Sequence, residues 1–236
     1  YRPRDGQRQM AMAIGELVVQ GGGLVVEAGT GVGKTFAYLV PALLSGKTTL
    51  ISTATKALQD QVYWRDLPAV CDLIGRPVRT ALLKGRSSYL CRERYDRLLD
   101  DPDRVVTRSA QWANLRMWAA RTVTGDLSEV AGLQDADPLI PAVTSTRDNC
   151  LGTACPQHGA CHLVAARREA MTADVLVVNH HLFFADVGVR ESGFAELLPR
   201  LDVLVFDEAH QLSATGTQFF AQTLSTHQVE ALAYDL

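Results

Sequence analysis

Residues 24–35 have the sequence Leu24-Val25-Val26-Glu27-Ala28-Gly29-Thr30-Gly31-Val32-Gly33-Lys34-Thr35. The nearly all-apolar run at 24–28 predicts a short central strand that is buried on both faces. A glycine-rich turn follows, and a helix is predicted from Lys34 to Leu44. A strand, a turn with these glycine spacings and a helix together fit the phosphate-binding P-loop, with Ala28 in the position of the first glycine.

Each residue type in this pattern has a role at a phosphate. Glycines allow backbone angles that point successive N–H groups inward, and the helix N-terminus adds a partial positive charge. Lys34 is expected to reach the β- and γ-phosphates of ATP, and the Thr35 hydroxyl to ligate Mg²⁺. A chance glycine-rich turn is the alternative, which the flanking strand and helix disfavour. The predicted ATP-binding loop consists of Ala28, Gly29, Thr30, Gly31, Val32, Gly33, Lys34 and Thr35.

Strands and helices alternate along much of the chain, which predicts an α/β fold with a parallel sheet. Helices are expected over 6–20 and 56–70 because apolar residues recur there at helical spacing. Gly85 to about Ala173 departs from this alternation and is predicted to be a mostly helical insertion between sheet strands. Further strands are predicted at 48–53, 78–83, 175–178 and 203–206.

A second candidate catalytic segment, Asp207-Glu208-Ala209-His210, follows the predicted strand at 203–206. The carboxyl ends of parallel strands meet at one edge of a sheet, so this segment is expected to lie beside the P-loop. Asp207 would hold Mg²⁺ through water, and Glu208 would orient and polarise the attacking water. An acidic surface turn is the alternative, which the presence of a P-loop disfavours. His180 and His181 follow another strand, where packing or loop orientation is expected.

The chain has five cysteines, an odd number, which disfavours a disulfide framework and favours a reducing compartment where clustered thiols bind metal. The spacing matches neither the C-x2-C pairs of zinc ribbons nor the ferredoxin runs. Cys71 lies outside the cluster and is predicted to be a small buried hydrophobe. Since four cysteines complete a site, His158 and His162 are not expected to be ligands. The predicted metal ligands are Cys91, Cys150, Cys155 and Cys161.

The net charge of −3 hides a basic stretch. Between Arg76 and Arg121 there are eleven Lys or Arg and five Asp or Glu, a local excess of +6. Such a stretch suits contact with nucleic-acid phosphates, and a solvated arginine-rich helix is an equally acceptable interpretation. No run approaches the roughly 18 apolar residues of a membrane-spanning helix, and we expect no membrane partner.

Several ordered segments resemble the DinG/YoaA branch of the XPD-like, superfamily 2 DEAH-box helicases. The letters DEAH at 207–210 distinguish helicases from most P-loop enzymes. Segment 4–10 resembles the family's adenine-reading segment, and 52–61 resembles its motif Ia. Segments 84–91 and 173–180 resemble those that flank the family's cysteine cluster, and 179–186 is most similar to the YoaA side of the branch. The resemblance extends from Arg4 to about Ser225.

The resemblance implies a fragment built on a RecA-like P-loop NTPase lobe. Its first part would span 1–84, its iron–sulfur insert 85–173 and its continuation 174–213, and 214–236 would begin a further helical insertion. It implies that the four cysteines hold a [4Fe–4S] cluster, with structural zinc or free thiols as the alternatives that the residues leave open. It also implies that Gln7 contacts the adenine edge and that segment 52–61 meets the DNA backbone.

As a whole, the family resemblance implies an ATP-dependent 5′→3′ DNA helicase that acts on single-stranded or forked DNA in repair or replication-fork maintenance. A protein partner in replication or repair and a cytoplasmic, nucleoid-associated location are further expectations. The second motor lobe, with its arginine finger, is expected outside these residues. The alternative is a redox-sensing ATP-binding module whose cluster reports oxidation and which does not unwind DNA.

Overall fold

The computed structural model describes residues 4–29, 31–101, 109–191 and 197–221. Its central feature is a parallel sheet with the strand order β2-β3-β1-β4. Ser52 on β1 lies opposite Val178 on β3 and opposite Phe206 on β4. The predicted α/β class is therefore confirmed. The strands are β1 (Thr49–Thr53), β2 (Thr80–Leu82), β3 (Val175–Asn179) and β4 (Val203–Phe206).

The helices at 6–20 and 34–44 form within one residue of their predicted bounds, and the helix at 56–70 is longer and divided. A π-helical turn at Val62–Asp66 joins its two α-helical parts. The helices are α1 (Asp5–Gln20), α2 (Lys34–Ser45), α3 (Lys56–Gln61), α4 (Leu67–Ile74), α5 (Arg92–Asp100), α6 (Ala110–Ala119), α7 (Leu139–Val143), α8 (His162–Ala170), α9 (His180–Glu191) and α10 (Leu212–Phe220).

Two hydrophobic clusters cover the opposite faces of the sheet. Successive residues of a strand point to opposite faces, so Ile51 and Val177 belong to one cluster and Leu50 and Leu176 to the other. The first cluster contains α2 and the 56–74 helical segment, and the second contains the end of α8. Both faces are thus covered by helices, as a parallel sheet requires, and this arrangement fits a RecA-like lobe.

The predicted strand at 24–28 is wrong. This segment is not paired with any strand among the described residues, and Val25 is 95% exposed. The sheet instead ends at β4, whose Leu204 is itself exposed. An apolar run indicates a preference for burial, but a strand also needs a neighbouring backbone to accept and donate its hydrogen bonds.

The segment between β2 and β3 has a hydrophobic cluster of its own. Its buried members all lie between Leu90 and Val143 and come from α5, α6, α7 and the connecting turns. Its two tryptophans, Trp112 and Trp118, are both buried. The division into 1–84, 85–173, 174–213 and 214–236 stays a prediction, and residues 222–236 lie outside the described ones. No helix in the described ranges is long and apolar enough to cross a membrane.

Lys84 joins this segment to the helix that follows β1. Its side chain is almost wholly buried, and its Nζ lies 2.7 Å from Asp60 Oδ1 on α3 and 2.6 Å from Asp126 Oδ2 in the insert. Nζ also donates a 3.0 Å hydrogen bond to Ser128 Oγ. A buried ammonium must be paired, because removing a charge from water without compensation is costly.

Lys84→Met is expected to lower the free energy of unfolding by about 3–5 kcal/mol, because it leaves the buried carboxylate of Asp126 and the half-buried one of Asp60 without their cation. Lys56→Met is the matched control, since the Lys56–Asp135 pair crosses the same boundary with side chains that are 46% and 83% exposed. That variant should lose less than about 1 kcal/mol. Urea unfolding followed by circular dichroism measures both, and equal losses would contradict the assignment.

Candidate functional site

The P-loop turn is closed by side chains from α1. Gly31 and Gly33 have φ values of 80° and 90°, in the region that favours glycine. Gln7 Nε2 donates a 3.0 Å hydrogen bond to the Gly33 carbonyl, and the Arg4 guanidinium donates to the Gly31 carbonyl. The predicted adenine-reading residue Gln7 thus contacts the phosphate loop itself. Thr30 lies outside the described residues.

The P-loop and the DEAH segment meet at Lys34. Lys34 Nζ lies 3.5 Å from Glu208 Oε1 and donates a 3.3 Å hydrogen bond to the Ala28 carbonyl. Glu208 has a φ of 57°, the single positive value found for a non-glycine residue in the described ranges. His210 Nδ1 lies 3.3 Å from Glu208 Oε2. The two predicted catalytic segments therefore form one site.

Asp207 is tied to the P-loop helix by a residue that sequence reasoning did not identify. The buried Tyr38 hydroxyl donates a 3.2 Å hydrogen bond to Asp207 Oδ2, and Thr35 precedes Tyr38 by one turn of α2. Burial raises the pKa of Tyr38 well above its usual range, and the Asp207 charge adds to this. Burial also raises the pKa of Asp207, opposed by the hydrogen bond from Tyr38. The available signal was helical spacing, since residues three apart share a face of α2.

The four clustered cysteines line one cavity of about 240 Å³. Cys91 and Cys161 immediately precede α5 and α8, and Cys150 and Cys155 flank a short 3₁₀ turn. Burial raises the pKa of the Cys91 thiol, and the nearby Cys155 and Cys161 add to this. Within the described ranges, no three His, Cys, Asp or Glu side chains are spaced to hold a single metal ion. The four cysteines thus share the lining of one cavity.

Basic side chains line this cavity together with the cysteines. They are those of Arg86, His158 and Arg167. Burial lowers the pKa of Arg167, and the adjacent Arg86 lowers it further. His162 turns away, because its Nδ1 lies 3.2 Å from the Val123 carbonyl oxygen. Cys71 packs at the border of the first sheet cluster, far along the chain from the other four.

Some arginines of the basic stretch between Arg76 and Arg121 make contacts within the protein. Arg94 donates hydrogen bonds to the carbonyls of Pro141 and Ala142, and Arg97 pairs with Glu93 on the same helix. In segment 52–61, the Thr55 hydroxyl caps α3 by accepting a 3.2 Å hydrogen bond from the Leu58 N–H. These contacts use only some of the five N–H donors of each guanidinium. The remaining donors and the positive charge of the arginines could still contact phosphates.

A fold and site of this kind define a P-loop nucleoside triphosphatase with an acidic box at the end of a neighbouring strand. Residues 5–131 match the model of the DEAD/DEAH box helicase family. The chain belongs to this family.

The chain is also similar to individual helicases of the DinG and YoaA groups. The chain is 48% identical to the ATP-dependent DNA helicase YoaA of Haemophilus influenzae and 51% identical to YoaA of Escherichia coli K12. Each alignment covers 100% of this chain and 37% of the relative. The ATP-dependent helicase DinG of Mycobacterium tuberculosis is 38% identical over 94% of this chain and 36% of its own length. The predicted DinG/YoaA similarity is therefore confirmed, and the chain spans little more than a third of these relatives.

Among solved structures, an XPD helicase aligns with 99% of this chain and 46% of its own. Its TM-score is 0.49 at 16% sequence identity.

Gly33→Ala is expected to lower the free energy of unfolding by about 1–2 kcal/mol, since φ is in the left-handed region. An added Cβ would also lie 2.3 Å from Gln7 Nε2. Gly29→Ala is the matched control, because a Cβ there meets nothing within 4 Å. It should stay within about 0.5 kcal/mol of the parent. Urea unfolding without nucleotide checks both, and a neutral Gly33→Ala would contradict the close approach of Gln7.

Proposed function

We propose that the chain is the ATP-binding lobe of an ATP-dependent DNA helicase of the XPD/DinG kind. The observation that carries this proposal is the meeting of Lys34 and Glu208, 3.5 Å apart, in a chain of the DEAD/DEAH box helicase family. A P-loop lysine beside a carboxylate in this position suits phosphoryl transfer to water. The YoaA relatives are named as DNA helicases, which supplies the expectation that DNA is the substrate.

In this proposal the nucleotide phosphates take the place that Glu208 holds at Lys34. Lys34 then places its charge on the γ-phosphoryl group, while the N–H groups of the glycine-rich turn hold the β-phosphate. When bound, Mg²⁺ neutralises charge between the β- and γ-phosphates. Thr35 and Asp207 would hold it, and Tyr38 ties Asp207 to the helix that begins with Lys34 and Thr35. Once Lys34 is released, Glu208 is free to orient a water molecule and accept its proton.

The four cysteines are proposed to hold a [4Fe–4S] cluster. In support, Cys91, Cys150, Cys155 and Cys161 line a cavity of about 240 Å³ together with Arg86 and Arg167. A cluster with four thiolate ligands is anionic, so nearby cations are favourable. Structural zinc, with four ligands at about 2.3 Å, and free thiols are the alternatives, and the metal content of the protein distinguishes them. The bound cluster would cross-link positions 91 and 150, which are 59 residues apart.

Single-stranded or forked DNA is the proposed substrate of the whole protein, with 5′→3′ movement and a role in repair. Segment 52–61 and the surface arginines of the insert are the proposed phosphate contacts, because such contacts are local and mainly electrostatic. A redox-sensing module is disfavoured by the helicase family match and by the names of the relatives. Stimulation of ATP hydrolysis by single-stranded DNA separates the two, since a sensor does not need it.

Lys34→Ala in the full-length protein is expected to abolish ATP hydrolysis with the fold and iron content intact, because alanine places no charge on the phosphoryl group. Glu208→Gln should bind ATP normally but lose about 10²-fold or more in kcat, since an amide cannot accept the proton. Steady-state kinetics and fluorescent-nucleotide binding separate the two effects. Near-normal turnover by Glu208→Gln would refute its role.

Cys155→Ser is expected to remove most of the iron and the broad absorption near ~400 nm that comes from thiolate-to-iron charge transfer. Cys71→Ser is the control and should leave both unchanged, because that thiol packs against the sheet cluster. The measurement is iron and zinc content together with the visible spectrum of anaerobically purified protein. Stoichiometric zinc without iron in the parent protein would overturn the cluster assignment.

A further inference from the structure

His180 lies at the carboxyl edge of the sheet, between the two segments proposed to contact DNA and to hydrolyse ATP. It is the first residue of α9, directly after β3, and its side chain is completely buried. Ser52 on β1 lies opposite Val178, two residues before His180. On its other side Ser52 lies opposite Phe206, which directly precedes the DEAH box. The strand register thus places His180 beside β1, which lies between β3 and β4.

The imidazole contacts both neighbours. Its Nδ1 lies 2.7 Å from Ser52 Oγ, and its ring meets the Phe206 ring edge to face with centroids 5.9 Å apart. The backbone joins the same residues, since the Asp207 N–H donates a 2.9 Å hydrogen bond to the Ser52 carbonyl. His180 therefore contacts both the residue that begins segment 52–61 and the strand end that carries Asp207 and Glu208.

The second ring nitrogen of His180 is buried as well. Nδ1 is the nitrogen within hydrogen-bond distance of Ser52. Nε2 has no hydrogen-bond partner in the described part of the chain. On the other side of the ring, Phe206 directly precedes Asp207 and Glu208.

The backbone of the DEAH box is held in an uncommon conformation. Glu208 has φ 57° and ψ 45°, and a non-glycine residue in the left-handed region costs about 1–3 kcal/mol unless its surroundings hold it there. A buried ring that packs against Phe206 and is hydrogen-bonded to Ser52 can supply such support. A purely packing role would be served by an apolar ring, without a buried nitrogen whose missing hydrogen bond carries a cost.

We propose that His180 is a positioning residue for Glu208, acting as a side-chain link from Ser52 across the sheet edge to Phe206, which directly precedes the DEAH box. This inference rests on the proposed role of Glu208 in orienting water. Because Ser52 begins the segment proposed to contact DNA, the link also connects that segment to the hydrolytic centre. The nucleotide-binding residues Lys34 and Thr35 lie on α2 and are not part of the link.

The test uses full-length protein and ATP hydrolysis without DNA, so that altered DNA binding by segment 52–61 does not enter. His180→Phe keeps a ring against Phe206 and removes both nitrogens. It should lower kcat roughly 10-fold, a fraction of the ~10²–10⁴ that a positioned general base contributes, and leave the KM for ATP unchanged. Ser52→Ala should lower kcat in the same way, and the double variant no further than His180→Phe, because linked residues are not additive.

Three outcomes decide the inference. A kcat close to that of the parent for His180→Phe, or additive losses in the double variant, overturns it. Equal losses in kcat and in nucleotide affinity indicate a general structural role and also overturn it. If His180→Phe does not fold, Ser52→Ala and His180→Gln replace it. His180→Gln retains a donor and an acceptor and should keep more activity than Ser52→Ala. Failure of the proposed function shows itself separately, as normal turnover by Glu208→Gln.

Discussion

The parallel pairing of β3, β1 and β4 is the constraint on which the rest of the structure depends. Parallel strands bring all their carboxyl ends to one edge, so residues far apart in sequence emerge side by side there. Ser52 near the end of β1, His180 after β3 and Asp207 after β4 form one continuous set of contacts. The two buried faces fix this register, because a shift by one residue would move every side chain of the shifted strand into the opposite hydrophobic cluster.

Most of this arrangement could be predicted from sequence because it depends on local chemistry. Buried strands have apolar runs, the P-loop has its glycines, and DEAH follows a strand, so the meeting of Lys34 with Glu208 was predicted from the two motifs. The convergence of Cys91 with the later cysteines on one cavity was likewise predicted from spacing and family resemblance. Tyr38 and Lys84 were missed, because their ionic or hydrogen-bonding partners lie more than 20 positions away. For His180 only packing or loop orientation was expected.

The strand predicted at 24–28 shows the limit of the same reasoning. Hydrophobic pattern reports how much a segment gains from burial, whereas pairing depends on a neighbouring strand with free hydrogen-bonding groups. In the described part of the chain β4 pairs only with β1, and no strand pairs with residues 24–28. Two carbonyls of the turn that follows, those of Gly31 and Gly33, nevertheless accept hydrogen bonds from Arg4 and Gln7 at the start of α1. These contacts tie the turn to α1 without a strand at 24–28.

The segment between β2 and β3 contains both an ion-paired lysine and the cysteine cavity. Near the sheet, Lys84 is buried between Asp60 and Asp126, a contact that needs no metal and is lost if one partner is removed. Seven residues further on, Cys91 begins the cluster cavity, whose cross-link would depend on metal and on oxidation state. Because Lys84 and the hydrophobic cluster of Leu90–Val143 do not involve the thiols, loss of the cluster should loosen the cysteine-bearing turns first. The junction with α3, which is part of the segment 52–61 proposed to contact DNA, would then remain ordered by its ion pairs.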